Sequence, residues 1–446
     1  MRILPLQVTH HHIIRRNCFV CSPFVLHEML SSVDTKLSET LEPAISSVKV
    51  DDSWEVLDGR SLSDLLLRCA QAISANDTVQ CLQILNSLAG RVSEQGDSGE
   101  RVGSYFTKAL ANRFLKSKIS AGGSEEITDQ QPSLLHIFQI PESPSQGELH
   151  AAHLALNRVT PFLRFAHLTA NQAIVEVMEG EEVIHLVDFE IMQGVQWPPL
   201  MQALAQRKGG PPRLRLTGIG PAEDVLHQTG HRLTDFARTL DLPFEYVPLV
   251  VGSLEKVKVE MFNKREGEAF AVNCVLQLHR LLEKGLGTLE TFLETIHSLT
   301  PKVFTLAERE ANHNHQLFLD RLTEAFQHYT ALFDSLEATL PPKNFDRVTV
   351  EEVWFGREIA NIISCDGSEW IERHQRFERW REVMNKSGFR ALPPSTFALA
   401  QAKLLLRLHY PSEGYRLFET DDCLSLGWQD QALFTVSSWQ RQVQHD

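Results

Sequence analysis

No apolar run in this sequence reaches the roughly 18 residues needed to cross a bilayer, and no apolar signal core with a cleavage site opens it. A membrane partner is therefore not expected. Cysteine is scarce: seven residues, at 18, 21, 69, 81, 274, 365 and 423, odd in number and irregular in spacing. That usage argues against a disulfide framework and suits reduced thiols in an intracellular protein. Cys18 and Cys21 make a lone CxxC; a zinc site there needs two more ligands, and His10, His11 and His12 are the only candidates nearby. Basic charge is short as well. Lys and Arg number 43 against 57 Asp and Glu, a formal net charge of -14, so the global footprint of a nucleic-acid binder is missing. DNA contact would need a local basic patch or a partner that supplies the affinity. No compact Lys/Arg cluster marks a nuclear signal. Finally, GxxxxGK(S/T), HExxH and GxSxG are absent, which removes phosphate-loop, zincin and nucleophile-elbow chemistry.

What is present suffices for a large core. Of 446 residues, 43% are hydrophobic and 22% charged, close to the globular norm of about 25% charged. Length suggests two or three domains, though a large α/β fold can run as one. Residues 1–57 show no sustained period and read as a variable, disordered leader. From Ser61 the period is helical, with Leu62, Leu65, Leu66, Cys69 and Ile73 at three- and four-residue steps. A second helix starts near Asp77 and carries Val79, Leu82, Leu85 and Leu88. A third starts at Asp97, with Glu100 completing a capping-box signature, and carries Val102, Phe106, Leu110 and Phe114. This unit, residues 58–116, is expected to be a helical cap whose leucines form core; the alternative is a partner surface, with Leu82 and Leu110 as dimer contacts. Residues 117–150, rich in Ser, Gly, Gln, Glu and Pro, read as a linker or long loop.

Residues 151–440 read as an α/β core with inserted helices. A helix spans Thr160 to about Met178. The period then changes: Val183 to Val187 is a short, nearly continuous apolar run, as expected of a strand covered on both faces. Pro198 and Pro199 suit the first turn of the next helix. Arg213–Thr217, Phe270–Leu276 and Val303–Leu306 read as further strands with helical segments between them, which implies a parallel sheet. Residues 226–249 form a second leucine-rich stretch. Helices are expected over Gln316–Leu340 and Glu369–Lys386. Leu424–Leu426 and Leu433–Val436 flank a turn and read as a hairpin. An antiparallel hairpin closing a mostly parallel sheet predicts a Rossmann-like core of the methyltransferase type with an α-helical cap.

In such sheets ligands sit at the carboxyl ends of the strands. Asp188 ends the first strand, where an S-adenosylmethionine loop would place glycines at alternate positions so that backbone can approach the ligand. Here those positions are Glu190, Met192 and Gly194, so only the last is glycine. The second strand ends at Thr217-Gly218 without a ribose-binding acid, and Gly218-Ile219-Gly220 is a fragment of GxGxxG after the wrong strand. No cofactor is expected, and the chain reads as a regulator and not an enzyme. Other groups have structural readings beside functional ones. Glu308, Arg309 and Glu310 follow a strand where a site could lie, but salt bridges are commoner there. His313 and His315 lack metal-spaced partners. Arg373, Arg376, Arg379 and Arg381 form a basic stretch beside Phe377, Trp380 and Met384, with Glu372 placed to pair with Arg376; it is either a solvated face or a DNA or partner contact.

Ile184-His185-Leu186-Val187-Asp188, continuing to Gln196-Trp197-Pro198, resembles the VHIID motif of the plant GRAS regulators. The two leucine-rich stretches flank it as in that family. Pro301, the Phe326–Tyr329 segment and Arg357-Glu358 resemble the PFYRE motif, and Trp428 to Trp439 resembles the SAW motif. The resemblance covers about residues 61–440. PFLRFAHLTANQAI, QGVQWPPLMQALAQR, FDSLEATLPP and KLLLRLHYPSEGY are similar to the Lateral suppressor (Scarecrow-like) branch in particular. The resemblance implies a methyltransferase-like core and nuclear transcription regulation through DNA, directly or indirectly, and through other transcription factors, with homo- or hetero-dimers common. The branch implies axillary meristem formation and shoot branching. The leader is short and lacks a DELLA-type motif, so a DELLA repressor is not expected.

Overall fold

A computed structural model describes residues 60–120, 144–341 and 343–442. The Cys18–Cys21 motif, His10 to His12 and the leader expected to be disordered lie outside the described residues.

Three N-terminal helices, α1 (Leu62–Ser74), α2 (Thr78–Ala89) and α3 (Ser98–Ser120), start at polar caps. Ser61 Oγ accepts from the Asp64 amide, Asp77 Oδ1 from Gln80 and Asp97 Oδ1 from Glu100, each satisfying an orphan amide of a first turn. Helix α3 continues past the end expected for the cap, and α4 (Gln146–Val159) begins inside the stretch expected to be a loop. Ser145 and Glu148 form the reciprocal capping box that starts α4. Helix α5 (Pro161–Val177) then leads into the sheet.

Strand β1 (Val183–Phe189) lies between β2 (Arg213–Gly220) and β4 (Ala269–Val275), parallel to both. β2 pairs with β3 (Phe244–Val250) and β4 with β5 (Val303–Arg309), again parallel. The other side of β5 takes β9 (Gln431–Arg441), antiparallel, followed by β8 (Cys423–Trp428) and β7 (Tyr415–Glu419). The order is β3-β2-β1-β4-β5-β9-β8-β7, with β6 (Phe389–Leu392) also on β9. This is the expected Rossmann-like α/β core, but its antiparallel end is larger than the single hairpin expected: β6, β7, β8 and β9 make four antiparallel pairings beside the four parallel ones. β1, β2 and β5 run two or three residues beyond their expected ends. β3 falls in the leucine-rich stretch 226–249, where half-buried residues hide the strand from an apolar-run criterion.

The remaining helices are α6 (Trp197–Ala205), α7 (Glu223–Thr239), α8 (Leu286–Ser298), α9 (Phe318–Thr339), α10 (Phe345–Thr349), α11 (Arg357–Ser364), α12 (Phe377–Lys386) and α13 (Thr396–His409). One face of the sheet packs Leu186, Trp197, Leu200 and Leu233, and the other packs Phe189, Phe270, Phe292 and Trp380. A third cluster joins α1–α3 to α9, α11 and the β7–β9 end of the sheet. The cap is therefore built from inserted helices as much as from N-terminal ones. Phe106 of α3 meets Phe326 edge-on at 5.2 Å, and Arg101 Nε bonds Glu351 Oε2 at 3.0 Å while its Nη1 bonds Glu337 at 2.7 Å. Leu110 is fully buried in this cluster, as the expected core role requires; the alternative dimer contact does not fit an interior side chain with no solvent face. Leu82 is half-buried and packs on the same cluster.

Candidate functional site

The register of the sheet assembles the site. Asp188 stands opposite Asn273 across β1 and β4, at the carboxyl ends where ligands of such folds bind. Its two oxygens are both taken by the protein. Trp197 Nε1 donates to Oδ2 at 2.9 Å and Asn273 Nδ2 to Oδ1 at 3.0 Å. Gln196 exchanges two hydrogen bonds of 3.1 Å with Asn273 and donates to Asn171 Oδ1, while Thr305 Oγ1 donates to Asn273 Oδ1 at 2.9 Å. Burial pushes the Asp188 carboxyl up to about 7, against the two hydrogen bonds that lower it. The rest of that motif is interior: Ile184, Leu186 and Val187 are core, Pro198 is buried in the first turn of α6, and His185 bonds Thr217 at 2.9 Å. Burial pushes His185 down to about 4, so it is neutral.

The loop after Asp188 keeps the backbone of a glycine loop without the glycines. Glu190 has φ 108° and Met192 φ 45°, as Gly194 has φ 67°. A side chain in that region costs of order 1–3 kcal/mol, and it persists because the surroundings fix it. Thr229 of α7 donates to the Met192 carbonyl at 2.7 Å. Gly194 is needed for packing: a Cβ there would lie 2.9 Å from Thr229 Cγ2 and 3.1 Å from Leu233 Cδ1. Burial raises the pKa of Glu190. The cavity left between Asp188, Glu190, Met192, His153 and Trp354 is about 50 Å³, room for a few waters, whereas ligand pockets run about 300–1,000 Å³. A wider cleft of about 150 Å³ opens beside it, past Arg280 and Arg357.

A second buried polar group, of which the sequence singles out Glu308, Arg309, Arg357 and Glu358 but not His279, lies at the ends of β4 and β5. Glu308 of β5 accepts from the Leu278 amide at 2.8 Å and faces His279 Nδ1 at 2.8 Å. His279 Nε2 faces Glu372 Oε2 at 2.8 Å. Burial works against charge on His279, but Glu308 and Glu372 overcome it and hold the imidazole at about 9. Glu372 Oε1 meets Arg280 at 3.3 Å and Arg357 at 3.7 Å. Glu372 therefore does not pair with Arg376 as its i,i+4 spacing suggested. Beside it, Glu358 Oε2 accepts from Arg309 at 2.5 Å and from Tyr329 at 2.8 Å. The Tyr329, Arg357 and Glu358 positions singled out in the sequence thus converge on one network, with Glu308 and Arg309 inside it. Trp428 and Trp439 do not join it. Trp428 Nε1 bonds Asp334 at 2.7 Å under the cap, and Trp439 bonds Ser437 at 2.9 Å and packs near Phe377.

The basic stretch is not a continuous helical face. The helix begins only at Phe377. Arg373 precedes it and is buried, stacked over Trp370 and bonded to Trp370 O, Asn314 Oδ1 and Gly367 O. Arg376 pairs with Glu324, Arg379 with Glu382 and Arg381 with Asp422. Each exposed cation already has an acid: Glu324 and Asp422 come from other segments, and Glu382 lies one turn on in the same helix.

Fold and site together define a Rossmann-like core in which Glu190 and Met192 stand on glycine-type backbone after β1, roofed by a two-part helical cap. The model of the GRAS domain family matches residues 62–440, and the chain belongs to that family. It is 42% identical over 405 residues to Scarecrow-like protein 18 of Arabidopsis thaliana, covering 85% of this chain and 91% of that one. It is 37% identical over 415 residues to the DELLA protein GAI of Solanum lycopersicum, covering 89% of this chain but 66% of that longer relative. The crystal structure of SCL7 from Oryza sativa superposes with a TM-score of 0.73 at 34% identity, over 86% of this chain and 100% of that one. Family membership makes the chain a plant transcriptional regulator by class, and the members of this family are regulators, not enzymes. Among the described residues no helix is long and apolar enough to cross a membrane.

Proposed function

We propose that this chain regulates transcription in the nucleus by assembling other transcription factors, reaching DNA mainly through them, and that it acts in axillary meristem formation and shoot branching. The observation that carries the regulatory reading is the strand-end loop. Glu190 and Met192 stand on glycine-type backbone, and Asp188 is committed to Trp197 and Asn273, so the site that would hold S-adenosylmethionine has become a structural joint. Recruitment through partners is favoured over autonomous DNA affinity by the net charge of -14 and by the acid partner of each exposed arginine in the 376–381 stretch. The branch assignment rests on the local strings quoted above and on the likeness to a Scarecrow-like relative. The homo- or hetero-dimer reading keeps Leu82 and loses Leu110.

The test is a salt series of duplex binding with the purified chain, alongside disruption of its gene in the plant that carries it. Weak binding with little sequence preference, together with missing lateral shoots, supports the proposal. Tight sequence-specific binding with a steep salt slope would replace recruitment by direct binding, and normal branching would remove the developmental assignment. A second reading, a small-ligand site, is favoured by the cleft of about 150 Å³ beside Glu190, Met192, Arg280 and Arg357, and by the Arg280 and Arg357 Nε atoms, which make no hydrogen bond there.

A further inference from the structure

We propose that His279, Glu372 and His374 form a buried site for a divalent transition-metal ion, zinc by preference, which clamps the segment before α12 onto the ends of β4 and β5. The donors come from two separated stretches of chain. His279 sits in the 3-10 turn after β4, and Glu372 and His374 sit in the extended segment between α11 and α12. One ligand atom from each lies within 4.8 Å of the others, and all three residues are buried.

The arrangement has the parts a metal site needs beyond its ligands. His279 Nδ1 is held at 2.8 Å by Glu308 Oε2, the carboxylate behind a histidine that fixes its ring and aims the other nitrogen. That other nitrogen, Nε2, faces Glu372 Oε2 at 2.8 Å. Glu372 turns its second oxygen to Arg280 and Arg357, leaving Oε2 for the cluster. His374 is placed by its carbonyl, which accepts from the His313 amide at 3.0 Å, and its Nδ1 lies 3.0 Å from His313 Nδ1. Its Nε2 is buried, makes no hydrogen bond, and points to Glu372 Oε2 at 3.6 Å. A buried nitrogen without a partner costs of order 1–3 kcal/mol, and an ion shared with Glu372 would remove that cost.

Two imidazoles and one carboxylate are the ligand types of a three-residue zinc centre. Bonds of about 2.0–2.1 Å in a tetrahedral set put donors about 3.3 Å apart; the observed 2.8 and 3.6 Å bracket that spacing. The two rings lie 4.1 Å apart at 33°, so they would open by about an ångström to receive the ion. The ion would replace the Nε2 proton that His279 donates to Glu372, while the Nδ1 proton stays in the hydrogen bond to Glu308. Access runs through the small cavity that borders His279 and Glu372, which also gives a water room to complete the shell.

The experiment uses the full chain with Cys18→Ser and Cys21→Ser, so that the leader thiols cannot compete. The protein is stripped with chelator and titrated with Zn²⁺, and bound metal is counted by equilibrium dialysis. One zinc per chain is expected, with affinity lowered at least tenfold in His374→Ala and in His374→Gln. No binding at micromolar zinc, or equal binding by a folded His374 variant, overturns the proposal. Should both variants fail to fold, X-ray absorption on the zinc-loaded parent decides. Nitrogen and oxygen at about 2.0 Å with the scattering of two imidazoles is expected, and a sulfur shell at about 2.3 Å or a shell without imidazole is the overturning result.

Discussion

Asp188→Asn tests whether the old cofactor acid is now a structural group. Asp188 is almost fully buried, and burial lifts its carboxyl from 3.8 to about 7. The sign follows from proton counting. Between those two values the folded chain holds a proton that the unfolded chain has lost, so stability is complete below the unfolded value and falls as pH rises through the folded one. Integrated between pH 5 and pH 8, the loss is about 2–3 kcal/mol. Asparagine cannot titrate, and other buried acids cancel between the two proteins. Urea unfolding of both at the two pH values should therefore show the parent losing about 2–3 kcal/mol more than the variant. The variant carries its own pH-independent cost of about 1–3 kcal/mol, because an amide NH₂ must face either Trp197 Nε1 or the Asn273 amide. Parallel pH profiles would refute the reasoning. A parent that gained stability with pH relative to the variant would mean that Asp188 is a stabilised carboxylate, as in a site kept ready for a ligand.

Other substitutions probe separate parts of the account. Glu190→Gly should unfold at higher urea than Glu190→Ala, since glycine relieves φ 108° by about 1–3 kcal/mol; the reverse order would contradict a strained glycine-type backbone. Arg101→Met leaves Glu351 buried without its main partner and should cost about 3–5 kcal/mol, much of it recovered by adding Glu351→Leu. Leu110→Ala should cost about 2–5 kcal/mol with the mass of the folded protein unchanged in light scattering; unchanged stability with altered mass would return Leu110 to an interface.

Parts of this molecule that are determined locally can be read from the sequence. β1, β4 and β5 stand out because both of their faces are covered and the apolar run is nearly continuous, and β2 because leucines alternate along it up to Gly218 and Gly220. The caps at Ser61, Asp77 and Asp97 stand out because a cap is a contact between residues three apart. The degenerate loop is legible for the same reason: Asp188, Glu190, Met192 and Gly194 are the alternate positions of one short local stretch. β3 was hidden by half-exposed residues and β6 by shortness, while the helix-to-strand pattern after Phe397 shows α13 and β7 without their bounds. The early start given to the 377–386 helix came from counting arginines as one face, whereas Arg373 is satisfied by Asn314 and by the backbone of Gly367 and Trp370. The His279–Glu308–Glu372 cluster could not be found by spacing, since strand ends bring together residues that lie 29 and 93 positions apart. The signal available was a carboxylate at the polar end of an apolar strand, as Glu308 is near the end of β5.

The central claim is that the strand-end site has become structure and no longer receives its cofactor. Calorimetric titration of the full chain with S-adenosylmethionine tests it most directly. The account predicts no saturable heat through the micromolar range. A micromolar isotherm that Asp188→Ala abolishes would contradict it.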